Sequence, residues 1–180
     1  DRLVFTTPAQ TVTAGACSAA ATVEARDVFD NVAPVTALTV VSLSAAPPAG
    51  FQLFDAAGCG GAPVASVGIP AGASGATFWF RGTVTGSVTV TATGAGMPTA
   101  ATQAETIAPA APDRLVFTTP AQTVTAGVCS AAATIEFFYA CDNRHTMGGS
   151  VVGVHTSALP VGFVFFDAAG CGGAPVASVG

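Results

Sequence analysis

The chain has 180 residues, 51% of them hydrophobic and only 8% charged, with ten acidic residues against five arginines, no lysine, and a net charge of −5. An ordinary globular domain carries about 25% charged residues; here no basic face exists to neutralise phosphates, which argues against nucleic acid as a partner. The most apolar stretch, residues 33–51, is interrupted by Thr36, Thr39, Ser42, Ser44 and Pro47-Pro48, well short of the roughly 20 clean residues a membrane-spanning helix needs, so no membrane insertion is expected.

Taken in chain order, the segments read as short β-strands. Residues 2–7 and 10–13 form a first strand split at Pro8, and residues 19–26 alternate cleanly, with Ala21, Val23 and Ala25 on one face and Thr22, Glu24 and Arg26 on the other. Residues 27–34 are a turn rich in Asp, Asn and Pro. A β-branched strand follows over 36–44 and ends before Pro47-Pro48. Residues 51–54 and 64–69 flank a Gly-rich loop at 56–61. In 76–81, Phe78 and Phe80 face a core while Thr77, Trp79 and Arg81 face out. Over 87–93, Val88, Val90 and Ala92 point in and three threonines point out. Residues 105–112 (ETIAPAAP) read as a semi-extended Pro/Ala linker. Seven or eight strands with turns every 8 to 12 residues are the pattern of a two-sheet β-sandwich.

The chain then repeats itself. Residues 113–136 match residues 1–24 at 22 of 24 positions, and residues 163–180 match 51–68 at the same offset of 112. That period is too long for a solenoid and suits tandem small domains. The expected organisation is a complete module at 1–108, a linker at 109–112, and a second module at 113–180 without its last strands. Between the matching flanks, residues 137–162 agree with 25–50 at only 6 of 26 positions. The abrupt edges and preserved length fit compensating frameshifts or recombination with a distant copy, which the coding DNA read in three frames would separate. The first residue is Asp1, with no leader segment in front of it, and both ends read as cuts through a longer protein. Arginine without lysine in an Ala-, Gly-, Pro- and Val-rich chain points to GC-rich coding DNA and so to a bacterial source.

Four of the five cysteines are two copies of one pair: Cys17 with Cys59, and Cys129 with Cys171. One pair per repeat at fixed register reads as one disulfide per module in an oxidising, extracellular compartment. Closing a loop of about 43 residues stabilises by roughly 4 kcal/mol in the chain-entropy model. Cys141 has no counterpart, because position 29 is Phe, and its pairing stays open.

The succession ARDVFDN (25–31), VSLS (41–44), IPAGASGATFWFRG (69–82) and SVTVTATG (87–94) resembles the bacterial Ig-like repeats of invasin- and intimin-type surface proteins. It departs from that pattern at Asp30, where those repeats usually carry Gly. The resemblance spans residues 1 to about 105 and, through the repeat, 113–136 and 163–180. It implies an all-β, tandem Ig-like β-sandwich with a scaffold or adhesive role.

Candidate chemistry is sparse. Asp27, Asp30 and Asn31 share one turn and could offer oxygen ligands to calcium, although position 139 holds Tyr where the first copy has Asp27; a solvated turn bonding its own backbone is the competing reading. Cys141, Asp142, His145 and His155 superficially resemble metal ligands, yet all lie in the divergent block and only Asp142 has an equivalent, Asp30. GCGG (58–61, 170–173) and AGASGA (71–76) precede no helix and read as turns rather than phosphate loops. Glu24 and Asp27, the nearest thing to an acid/base pair, are not placed around a cleft by anything in the sequence. Trp79 with Arg81 could form a sugar or protein contact site, or Trp79 could pack beneath a loop. No cofactor is implied. The function expected is a non-catalytic stalk or adhesive spacer of a secreted or cell-surface protein, with neighbouring repeats as partners. The alternative is a glycan- or protein-binding accessory module of a secreted enzyme.

Overall fold

A computed structural model describes residues 2–144, 152–153, 162–176 and 178–179. It is all-β, with no α-helix among the described residues. The residues group into two compact units. One is Asp1–Ala111 together with Tyr139–Asn143, and the other is Pro112–Phe138 together with Arg144–Gly180.

The first unit holds nine strands: β1 (Arg2–Phe5), β2 (Thr11–Thr13), β3 (Ala21–Arg26), β4 (Thr39–Ala46), β5 (Phe51–Phe54), β6 (Ser66–Ile69), β7 (Gly75–Gly82), β8 (Gly86–Gly94) and β9 (Ala101–Ala108). They make a four-stranded sheet in the order β1-β3-β7-β5 and a five-stranded sheet in the order β2-β9-β8-β4-β6. The period-two alternation predicted for β3, β7 and β8 decides which face is buried. From the first sheet, Val23, Phe78 and Phe80 are fully buried; from the second, Val41, Ile69, Val90 and Ala92 are. These side chains belong to one continuous apolar cluster between the sheets. Phe51 stacks on Phe80 with ring centroids 5.2 Å apart, and Phe5 meets Phe78 edge-on at 6.2 Å. Burying each such phenylalanine is worth about 1.5–3 kcal/mol.

The break at Pro8 moves the chain from one sheet to the other. β1 pairs antiparallel with β3, with Arg2 opposite Arg26, whereas β2 pairs parallel with β9, with Thr13 opposite Ala108. Arg2 also bridges Thr99, ahead of β9. The chain therefore enters this unit at one pole and leaves at the opposite one.

Several elements differ from the sequence expectation: the segment expected over 2–7 ends at Phe5, and the strand expected over 19–26 starts at Ala21. The strand expected over 36–44 begins at Thr39, because Val35 is held by the 72–73 turn instead: its N–H donates to Ala73 O at 2.9 Å and its carbonyl accepts from Gly72 N at 2.8 Å. The strand expected over 64–69 starts at Ser66. Most consequentially, residues 105–108 are not linker. They complete β9, an interior strand whose inward face carries Glu105, 1% exposed, and Ile107, 1% exposed. The Glu105 carboxylate is accommodated because its Oε2 accepts the Gln10 N–H at 2.5 Å just past the sheet switch, which removes part of the cost of burying a polar group. Pro112, expected in the linker, opens the next strand.

The second unit contains β10 (Pro112–Phe117) paired with β11 (Ile135–Tyr139, its last residue grouped with the first unit), and β12 (Val152–Gly153) paired antiparallel with β13 (Ser178–Val179). Local detail is copied at the 112-residue offset. Thr118 N donates to Thr134 O at 2.9 Å as Thr6 N does to Thr22 O at 3.0 Å, and Gln122 Nε2 reaches Ala131 O at 3.1 Å as Gln10 Nε2 reaches Ala19 O at 3.2 Å. Residues 123–125, identical to β2, are not a strand, since β2 owes its strand state to β9 and these 180 residues hold no second copy of β9. For the same reason Leu115 is 46% exposed where its twin Leu3 is 2% exposed.

Candidate functional site

The turn between β3 and β4 lies at the pole where the chain enters, and its two carboxylates already have protein partners. Asp27 Oδ1 accepts the N–H groups of Phe29 (2.8 Å) and Asn31 (2.9 Å), while its Oδ2 accepts Asn31 Nδ2 at 3.1 Å. The Asn31 side chain, followed by these backbone donors, holds the Asp27 carboxyl below its ordinary range. Asp30 takes Arg2 Nη2 at 2.7 Å and Arg26 Nη1 at 3.3 Å, and the Arg2 hydrogen bond is the main reason its carboxyl is also pulled down. Arg26 in turn binds Glu24 at 3.0 Å. Asp30 adopts φ +70°, the left-handed conformation that glycine takes freely and Asp tolerates. Asp27, Asp30 and Asn31 thus come together as a self-bonded turn in which Asp30 is paired with two arginines. Its tip carries Val28 and Phe29, 79% and 81% exposed. No group of three or more His, Cys, Asp or Glu side chains suited to a metal ion occurs among the described residues.

The repeat keeps this turn inside its divergent block. Asp27 N donates to Asn31 O at 2.9 Å, and Tyr139 N donates to Asn143 O at 2.8 Å; Arg26 bridges Val32 as Phe138 bridges Arg144. Asp142 shares the left-handed backbone of Asp30. The segment Tyr139–Asn143 belongs to the first unit: Asn143 Nδ2 donates to Thr83 O at 2.6 Å, and its Oδ1 accepts Thr85 N–H at 3.2 Å. Cys141 is an exposed free thiol. His145 and His155 lie outside the described residues.

Trp79 and Arg81 project from the outer face of β7, opposite Phe54 and Gln52 of the edge strand β5. Arg81 lies over the Phe54 ring, 5.3 Å from its centroid, and donates from Nη2 to Gln52 Oε1 at 3.0 Å. Cys17 sits across from Arg81 on the β3 side, and Cys59 follows β5 in a 3-10 turn. Their disulfide, with Cα atoms 5.7 Å apart, therefore staples across the outer face of β7. Phe54, 1% exposed, is buried there, outside the central apolar cluster. Trp79 is half-buried. Cys129 and Cys171 form the matching disulfide in the second unit, with Cα atoms 5.8 Å apart. An open groove of about 350 Å³ runs past Leu38, Val40, Asp55, Val67 and Thr77. Among the described residues lining it, Asp55 is the one ionisable group. Glu105 and the sheet switch it holds are not legible in the sequence. Gln103 and Glu105 carry the wrong polarity for an inward face, and only the odd-numbered spacing of Ala101, Gln103, Glu105 and Ile107 hinted at it.

No protein-family model matches the chain, and no curated protein matches it. Among solved structures it is similar to the S-layer protein SbsC domains 4 and 5, with 15% identity, a TM-score of 0.42, and coverage of 59% of this chain and 51% of that one. It is similar also to SbsC domains 5–6 (12% identity, TM-score 0.42, 88% and 73% covered) and to SbsC domains 4–9 (12%, 0.43, 92% and 24%). The chain thus spans about half the length of the first of these.

Proposed function

We propose that the chain is a pair of Ig-like structural repeats from a secreted or surface-exposed protein, acting as a non-catalytic spacer. One observation carries the reading: what recurs at the 112-residue offset is a disulfide, a strand pair and a turn closed by the same backbone bond, while among the described residues no reactive cluster recurs with them. Two disulfides suit an oxidising compartment. A module that the chain enters at one pole and leaves at the other adds length to an array with each copy.

Small-angle scattering on chains carrying one, two and three copies of residues 1–112 ahead of the natural 113–180 tests this. A stiff spacer lengthens by a constant increment per copy, whereas a maximum dimension growing as the square root of copy number, as in a flexible string, would refute it. The second reading, a binding module using Trp79, draws support from that ring standing half-buried beside the edge strand β5. Against it, Arg81 is already engaged by Phe54 and Gln52. A glycan array probed with wild type and Trp79→Ala separates the two readings.

A further inference from the structure

Resting on the reading of the chain as a repeat, we infer that the turn at residues 27–31 docks onto the chain-exit pole of another copy of the same module. Its Asn31 would make there the bonds that Asn143 makes to Thr83 and Thr85. The occupant is thus a second copy of residues 1–112, lying ahead of this one in an array.

Three observations support it. First, the two turns share a frame: each is closed by the same backbone bond, each has a left-handed Asp, and each presents an Asn at the equivalent position, although Tyr139 replaces Asp27 and Cys141 is left-handed where Phe29 is not. Second, the receiving surface lies at the correct end. Gly15 N bonds to Gly82 O, Thr83 N to Gly50 O, and Ala14 N to Ala108 O, each at 2.8 Å, so Gly15, Thr83 and the exit of β9 share one pole. The turn, tied to Arg2 through Asp30, occupies the other. Cys141, which stands at the position of Phe29, has its Sγ only 3.2 Å from where a Cβ on Gly15 would be. The bare backbone of Gly15 is what lets the tip of that turn approach so closely.

Third, the chemistry of Asn31 is incomplete by just this much. Its Nδ2 spends one hydrogen on Asp27 Oδ2. A carboxamide has a second hydrogen and an acceptor oxygen, which match the Thr83 carbonyl and the Thr85 N–H. The exposed Val28 and Phe29 would gain cover in the same docking. The bonds can be individually weak, because a linker of a few residues holds the two poles at an effective concentration on the order of millimolar.

The test uses the full 180-residue chain preceded by one more copy of residues 1–112, the leading copy isotope-labelled by ligation. Amide exchange is followed at Thr85 of that copy. Docking predicts that Thr85 exchanges about tenfold more slowly than in the same chain carrying Asn31→Ala in the inner copy. In the unextended chain, Asn143→Ala should release its own Thr85 to the same extent. Equal exchange in the extended chain with and without Asn31→Ala, while Asn143→Ala still releases Thr85 in the unextended chain, overturns the inference. Trp79 fluorescence melts run on the same samples separate this outcome from failure of the module reading. A copy that does not melt cooperatively refutes the repeat itself, whereas cooperative copies with unprotected Thr85 refute the docking alone.

Discussion

Removing the Cys17–Cys59 disulfide should lower the melting temperature of the first unit by about 17 °C. The bridge closes a loop of 42 residues in sequence separation, which in the chain-entropy model restricts the unfolded state by roughly 4 kcal/mol. A unit spanning Asp1–Ala111 has an unfolding entropy of roughly 0.23 kcal/mol/K at about 2.1 cal/mol/K per residue. Dividing the first figure by the second gives about 17 °C. The assay is the fluorescence of Trp79, the only tryptophan in the chain, which sits half-buried on β7 and so reports this unit alone. The comparison is Cys17→Ala/Cys59→Ala against wild type, both carrying Cys141→Ser so that the free thiol cannot scramble the remaining pair. The folded emission spectrum at 20 °C should not change, because the effect acts on the unfolded chain. A fall of less than about 5 °C, near 1 kcal/mol on the same scale, would refute the loop-closure reasoning.

Glu105 should make the first unit pH-sensitive in the direction opposite to Asp27 and Asp30. Burial raises its carboxyl above the usual range and outweighs the Gln10 N–H that favours the ionised form. Its contribution is therefore fully present below the unfolded value and lost as pH rises through the folded one. Glu105→Gln, which keeps an acceptor for Gln10, should match wild type near pH 4 and exceed it at pH 7 in urea midpoint; an unchanged midpoint at pH 7 counts against this. Gly82→Ala should cost about 1–3 kcal/mol through overpacking, since a Cβ there would lie 2.5 Å from Ile107 Cγ1 and 2.6 Å from its Cδ1; calorimetry showing no loss contradicts it. Residues 113–180 expressed alone should aggregate or melt without cooperativity, because Leu115, Phe117 and Phe163 are at least 46% exposed; a sharp two-state transition would overturn this.

The strands legible in the sequence were those whose alternation is enforced by a buried face: Ala21 to Ala25, Phe78 and Phe80, Val88 to Ala92. β9 was illegible because its inward positions 103 and 105 are polar, and the bond that satisfies Glu105 comes from Gln10, 95 residues away. Residues 11–13 and 123–125 set the limit most plainly, since one tripeptide is a strand in the first copy and irregular in the second. A neighbouring strand decides that outcome. At the turn, the acidic cluster could be read locally, but its neutralisation by Arg2 depends on β1 lying beside β3. The outward placement of Trp79 and Arg81 followed from alternation, whereas the aromatic ring beneath Arg81 belongs to β5, which only tertiary pairing brings alongside.

The parallel pairing of β2 with β9 has a consequence under load. Tension applied at the two ends of residues 1–111 pulls these strands past each other, so their ladder is loaded in shear and its bonds must fail together rather than unzip one by one. Once the ladder yields, the segment between Cys17 and Cys59 stays locked, withholding about 140 Å of extension at roughly 3.4 Å per residue over the 42-residue separation. The redox state of one cysteine pair thereby sets how far the module can stretch after it gives way.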